Sequence, residues 1–226
     1  MRRTVPVREA ALSLLSACLV VALATTHAVA AVGCTLNDPD RDILRIFPDA
    51  TNYLTEFIAI SDRGGEELAA DLEAALDDTL DPVYESLDVA YAYYTVLAGS
   101  DTIGRVHGVN QKGEFGGMQI ILATTPEGDI IDMYYQRLSS PHAGLLRSDE
   151  FTDGFLGLEL GDFCLFTESG EGPVAAIEDP TDGASPDVDA TIRGVMKNLF
   201  LLNALHLDST CPETPKGVDD ENVDGS

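Results

Sequence analysis

The residues of this 226-residue chain that are best suited to chemistry form a turn at residues 179–187, directly before an amphipathic run. Ser185 supplies a hydroxyl group there, and Gly183 and Ala184 leave space beside it. The N-terminus of a helix has unpaired backbone N–H groups and a dipole that favours anions. The turn therefore predicts a phosphate-binding corner, with Ser185 as the N-cap and Pro186 as the first helical residue. The alternative is an N-capped surface helix that binds no ligand.

This corner resembles the attachment motif of the FMN-binding domain, a family found in flavin-carrying subunits of the sodium-pumping NADH:quinone oxidoreductase and of Rnf complexes. In that family an Asp and a Ser/Thr-Gly-Ala-Thr sequence precede a helix, and the Thr hydroxyl receives FMN through a phosphodiester. Here Asp179, Gly183 and Ala184 match, Ser185 replaces the Thr, and Asp182 replaces the small hydroxyl residue. The resemblance implies an FMN cofactor, either bound or attached covalently through Ser185.

Other segments follow the motif order of the same family, across roughly residues 43–207. A glycine-marked strand pair and a Glu-Gly turn come first. A loop follows in which Pro141 and Gly144 match the family's Glu-Thr-Pro-Gly sequence, without its Glu. The resemblance, together with an aromatic residue on the strand before this loop, gives these candidate cofactor-binding residues: Asp179, Thr181, Gly183, Ala184, Ser185, Pro141, Gly144 and Tyr135.

An isoalloxazine ring needs an apolar or aromatic slot and a cation near its reducible part. Arg137 and His142 lie by the Pro-Gly loop and are candidates for the cation, although an Arg at a strand end is usually a surface residue. Aromatic residues are at least as typical of a core or rim position as of a ligand slot. The candidates for the slot are Phe115, Tyr134, Tyr135 and Phe155.

The elements that must position these residues predict an α+β fold, an antiparallel meander packed with flanking helices. Runs rich in Tyr, Val and Ile predict strands at residues 90–97, 103–109, 116–124 and 129–138. Turn signals at 99–101, 111–113 and 126–129 leave no room for the crossovers that parallel strands need. Helical spacing of apolar residues predicts helices at 65–80 and from Ser185 to about Leu207, and residues 166–180 read as a loop.

Composition limits the classes of function that remain. The chain has 13 basic and 39 acidic residues and a formal net charge of −26, so nucleic acid and anionic lipid headgroups are poor partners. It contains no Gly-x-Ser-x-Gly elbow, dinucleotide fingerprint or P-loop, and its four histidines lack the spacing of metal ligands. These absences give little support to nucleophilic catalysis, and the resemblance to the FMN-binding family implies an electron-transfer flavoprotein rather than a substrate-specific enzyme.

The first 33 residues predict an export signal or a membrane anchor, because basic residues precede an apolar run at residues 10–24. Three outcomes remain open: cleavage at the Ala-Val-Ala of residues 28–30, lipidation of Cys34 in a lipobox-like sequence, or a bilayer span. In each case the folded part lies outside the cytoplasm. It comprises a tether with short N-terminal elements at 34–64, an FMN-binding-like α+β domain at 65–207 and a disordered acidic tail at 208–226.

A further expectation concerns the pairing of the cysteines. Removal of Cys18 with the leader and lipidation of Cys34 leave Cys164 and Cys211, which can pair as a disulfide in an oxidising compartment. A free or buried Cys164 is the alternative.

These observations predict an exported, membrane-tethered FMN-binding protein of the cell envelope that relays electrons. Its partners would be redox proteins or a quinone-linked membrane complex, reached through the N-terminal anchor. The alternative is a non-catalytic cell-envelope binding or assembly module with the same fold and no flavin. A third reading is a lipid-anchored domain that binds a solute or polymer and is unrelated to flavoproteins.

Overall fold

The computed structural model describes residues 33–80 and 86–207 together with Cys211, and its centre is one antiparallel sheet. The strands are β1 (Asn52–Ile58), β2 (Tyr91–Ala98), β3 (Asp101–Gly113), β4 (Gly116–Thr124) and β5 (Ile130–Leu138). They neighbour one another in chain order, as a five-stranded meander. The predicted α+β class, the meander and four of its strands are confirmed. The predicted signal or anchor and almost all of the predicted tail lie outside the described residues.

Two details of the sheet differ from the prediction. β1 pairs with β2 along its whole length, from Asn52 opposite Leu97 to Ile58 opposite Tyr91, although the sequence indicated a tether with short elements there and no strand of the sheet. The reversal predicted at residues 111–113 is also wrong, because β3 continues to Gly113, which pairs with Gly116. The turn lies instead at residues 114 and 115.

Helices flank the sheet at several points of the chain. They are α1 (Pro39–Ile46), α2 (Ile60–Arg63), α3 (Gly65–Leu76), α4 (Ala143–Leu146), α5 (Asp149–Thr152), α6 (Leu160–Ser169) and α7 (Asp187–Leu202). α3 ends four residues before the predicted Leu80, because Asp77 adopts a left-handed conformation (φ 48°) that terminates a helix. α6 falls partly in the predicted loop. α7 continues as a π-helical turn, Asn203–Leu207, so the predicted end near Leu207 is confirmed.

Each face of the sheet has its own core. The larger core joins α3, α6 and α7 to side chains such as Tyr93 and Ile120. The smaller core joins α1 and the chain before it to side chains such as Tyr94 and Ile121. Successive strand residues point to opposite faces, and each face is covered by a core. The central strands are therefore apolar almost continuously rather than in alternation.

The structure decides whether Cys164 is free or paired, which the sequence left open. Cys164 of α6 and Cys211 form a disulfide, with their Cα atoms 5.8 Å apart. The cross-link holds α6 to the chain that follows α7. Across the described residues, every helix is too short or too polar to span a bilayer.

Candidate functional site

The predicted corner is organised by the carboxylate of Asp179. Its Oδ1 accepts hydrogen bonds from the backbone N and the Oγ1 of Thr181, both at 2.7 Å, and its Oδ2 accepts one from Gly183 N at 2.9 Å. Burial raises the pKa of Asp179, but these hydrogen bonds and the nearby His142 outweigh it, so the net shift is downward. The carboxylate therefore stays ionised and fixes the loop.

The remaining N–H groups of the corner are also engaged. Thr181 Oγ1 accepts from Ser185 N at 3.1 Å and the Thr181 carbonyl accepts from Ala184 N at 3.0 Å. Ser185 Oγ accepts from Asp187 N at 3.2 Å, and Ser185 is 5% exposed. The expectation of several unpaired donors is therefore wrong, because the loop supplies its own acceptors. The helix also begins at Asp187 rather than at Pro186, so Ser185 lies one residue before the N-cap.

The outer surface of the corner is open. Asp182 and Gly183 both have left-handed backbones, with φ of 53° and 78°, which carry the chain around the turn. A Cβ built on Gly183 would meet no atom within 4 Å, and the same holds for Gly144 in the predicted Pro-Gly loop. Asp182, Gly183, Ala184, Pro141 and Gly144 are all exposed. A ligand can therefore approach these two loops from solvent.

Three of the segments singled out in the sequence meet here. Asp187 Oδ1 accepts from Glu114 N of the β3–β4 turn at 2.8 Å, and a Cβ on Gly113 would lie 2.6 Å from the same oxygen. A Cβ on Gly116 would lie 3.0 Å from Ser139 Cβ, so the start of the Pro-Gly loop borders the hairpin. The electrostatic effect of His142 on Asp179 joins this loop to the corner. The hairpin, the Pro-Gly loop and the corner thus form one edge of the molecule.

Asp187 is the residue of this edge that sequence reasoning missed. It is completely buried, and its Oδ2 has no hydrogen-bond partner within the described part of the chain. An Asp in the first turn of a helix is usually a solvated partner of the dipole, so nothing in the sequence signalled burial. Through Glu114 it fixes the hairpin turn relative to α7.

Among the aromatic candidates for a flavin slot, only Phe115 is exposed, at 56%. Tyr135 is buried, and its hydroxyl lies 2.8 Å from Thr191 Oγ1 in the larger core. Burial raises the pKa of Tyr135 above its usual value. Phe155 is buried in the same core, whereas Tyr134 lies on the opposite face, where its hydroxyl donates to Asp42.

Cys34 lies far from solvent in the smaller core. It is 1% exposed, and a Cβ on Gly108 would lie 2.8 Å from its sulfur. The preceding Gly33 donates a backbone hydrogen bond to Ala90 at 2.9 Å, which holds the segment on the sheet. A diacylglyceryl group on this sulfur would require the segment to leave its place, and lipidation of Cys34 stays a prediction.

Within the described part of the chain, no group of three or more His, Cys, Asp or Glu side chains is able to hold a metal ion. The site is therefore a polar loop edge built around Asp179 and Asp187, beside an exposed aromatic residue. Comparison of the chain with models of known protein families finds no match, and comparison with curated proteins finds no similar sequence.

Proposed function

We propose that this chain is an exported FMN-binding protein that relays electrons, with the flavin phosphate held at the corner of residues 179–185. The observation that carries the proposal is the meeting of the hairpin, the Pro-Gly loop and the corner at one edge. These segments are distant in sequence, and a ligand that needs all three would require such an arrangement.

Apolar surface on this edge suits the ring of the flavin. Phe115 follows Glu114 in the hairpin turn, and Leu145 follows Gly144; their exposed fractions are 56% and 46%. An exposed aromatic residue offers a face on which a planar ring can stack. His142, in the same loop as Pro141 and Gly144, interacts electrostatically with Asp179 and so lies near the proposed phosphate position.

The proposal sets a condition on Ser185. Its hydroxyl is nearly enclosed, so a phosphodiester at Oγ requires the exposed segment of Asp182 to Ala184 to move outward. Glycine at position 183 has no side chain to obstruct that movement. The membrane tether and the redox partners, whether proteins or a quinone-linked complex, belong to the same proposal.

The test is to produce the full chain together with a flavin transferase and to record its visible spectrum and intact mass. We expect flavin absorbance and a mass increase that disappear in Ser185→Ala and persist in Ser185→Thr, which retains the hydroxyl. Ser100→Ala, in the exposed β2–β3 turn at the opposite end of β3 from the hairpin, is the matched control. Colour released on denaturation indicates bound FMN. A colourless chain of unmodified mass that does not bind added FMN refutes the flavin.

A second candidate, a flavin-free binding or assembly module of the cell envelope, is favoured by one specific observation. The Asp179 carboxylate already accepts three hydrogen bonds from the donors that a phosphate would use. Such a loop is complete without a ligand. Under this candidate Ser185→Ala changes only stability, neither protein shows flavin absorbance, and each has the intact mass of its own unmodified sequence.

A further inference from the structure

A shallow depression of about 210 Å³ lies at the turn end of the sheet. It is lined by Asn110, Gly117, Met118, Gln119 and Arg137. Gln119 pairs with Asn110 of β3 and with Arg137 of β5, so the three residues form a row across the sheet. None of the lining residues is acidic, although the chain carries a net charge of −26.

A second cation lies on the same face of the sheet as this depression, on the residue that pairs with its lining residue Gly117. Lys112 pairs with Gly117 and is two positions from Asn110, so both side chains are on the same side of the sheet. Lys112 and Arg137 are exposed, and neither forms an ion pair or side-chain hydrogen bond with another described residue. Two positive charges therefore face solvent together.

Other arginines on this side of the sheet are neutralised. Arg41 of α1 lies 2.9 Å from Asp42, and Arg45 lies 3.0 Å from Asp132. The difference from Lys112 and Arg137 is informative, because a chain with three acidic residues for every basic one has enough carboxylates to pair with most of its cations. At the depression the cations lack such partners, and their charge is available to a ligand.

Gln119 adds a donor whose direction is fixed. Gln136 accepts from Asn37 N at 2.8 Å through Oε1 and donates to the Thr35 carbonyl at 2.7 Å through Nε2, so backbone groups set its orientation. The same Nε2 donates to Gln119 Oε1 at 3.5 Å. Since the oxygen of Gln119 faces Gln136, its amide N–H₂ group is left to donate to a ligand.

We propose that this depression binds the carboxylate or phosphate group of a small molecule through Arg137, Lys112 and Gln119. All three present donors, and the planar guanidinium fork matches either group with two parallel hydrogen bonds. The site is separate from the corner, because a Cβ on Gly113, the neighbour of Lys112, would meet Asp187 on the other side of the sheet. It therefore does not depend on a flavin.

The test titrates the full-length protein with inorganic phosphate and, separately, with succinate at constant ionic strength, by calorimetry and by NMR of side-chain amides. We expect one of these anions to shift the Gln119 amide signal. Arg137→Gln should weaken its binding about tenfold, and Lys112→Gln should weaken it severalfold. The anion that binds more tightly identifies the chemical class of the ligand.

Arg63→Gln is the matched control, because Arg63 is an exposed arginine on α2 without an ion pair among the described residues. It should leave the affinity unchanged. Thermal midpoints equal to wild type show that Arg137→Gln remains folded. The proposal is overturned if neither anion shifts the Gln119 signal, or if the Arg137 and Arg63 variants weaken binding equally.

Discussion

His107 makes the stability of this protein depend on pH in a way that one substitution can isolate. The residue is 1% exposed, and its ring stacks on Tyr93 with centroids 4.2 Å apart and meets the edge of Tyr91 at 5.9 Å. Burial lowers the pKa of His107 from 6.5 to about 3, because a charged imidazolium loses its hydration there. The folded protein therefore keeps this ring neutral at neutral pH.

The size of the effect follows from the two pKa values. Between about pH 3 and pH 6.5 the unfolded chain holds a proton on His107 that the folded chain lacks, so protonation favours unfolding. The free energy of unfolding is unaffected by this group at pH 8, falls as the pH drops through 6.5, and continues to fall towards pH 3. At pH 4.5 the loss amounts to about 3 kcal/mol.

Urea denaturation of wild type and His107→Phe between pH 4.5 and 8 measures this loss. The Phe variant retains an aromatic ring beside Tyr93 and has no group to titrate. Carboxylates titrate alike in both proteins, so the difference between the two stability curves isolates His107. We expect the Phe variant to gain stability relative to wild type as the pH falls. A difference between wild type and His107→Phe that does not vary with pH would refute the reasoning.

Further predictions concern the cross-link and the loops. Replacing Cys164 and Cys211 by Ala removes a bridge across 47 residues and should cost about 4 kcal/mol in urea denaturation; an unchanged midpoint would contradict the bridge. Gly113→Ala places a Cβ 2.6 Å from a buried carboxylate oxygen and should cost about 1–3 kcal/mol, whereas Gly144→Ala, in open space, should melt like wild type. Asp179→Ala removes three hydrogen bonds and should cost about 1–2 kcal/mol, with faster hydrogen exchange confined to its loop.

The sheet was predictable where local chemistry and tertiary packing agree. The four predicted strands are rich in β-branched and aromatic residues, and turn residues separate them. β1 was missed because nearly all of its side chains are exposed, so its sequence lacks the alternation that marks a half-buried strand. Its pairing with β2 comes from backbone hydrogen bonds, which the side-chain pattern does not encode.

The candidate site was predictable in its location more than in its chemistry. The glycines and turn residues of the corner and hairpin marked the edge correctly. The pairing of donors with acceptors, however, is decided only in the folded loop. The sequence could not indicate that the Asp179 carboxylate accepts hydrogen bonds from the donors of its own loop. The position of Arg137 is likewise decided by a bulge opposite Gln119 and Ile120, where the register of β4 and β5 shifts and Arg137 comes to lie opposite Gln119.

The position of Asp179 bears on how the corner binds anything. A carboxylate that accepts three hydrogen bonds within one loop does what a bound phosphate oxygen would do at a helix N-terminus. The Asp179 carboxylate therefore already pairs with the N–H groups that a bound anion would use. A second anion beside Asp179 and Asp182 would be repelled by two negative charges. Flavin binding at this edge must consequently draw on a covalent bond at Ser185 or on stacking at Phe115, rather than on a ready set of free amides.

The depression at Gln119, which offers donors without a neighbouring carboxylate among its lining residues, has the opposite electrostatics. For a small anion that arrives without a covalent link, that second site is the better match to the charges of the fold.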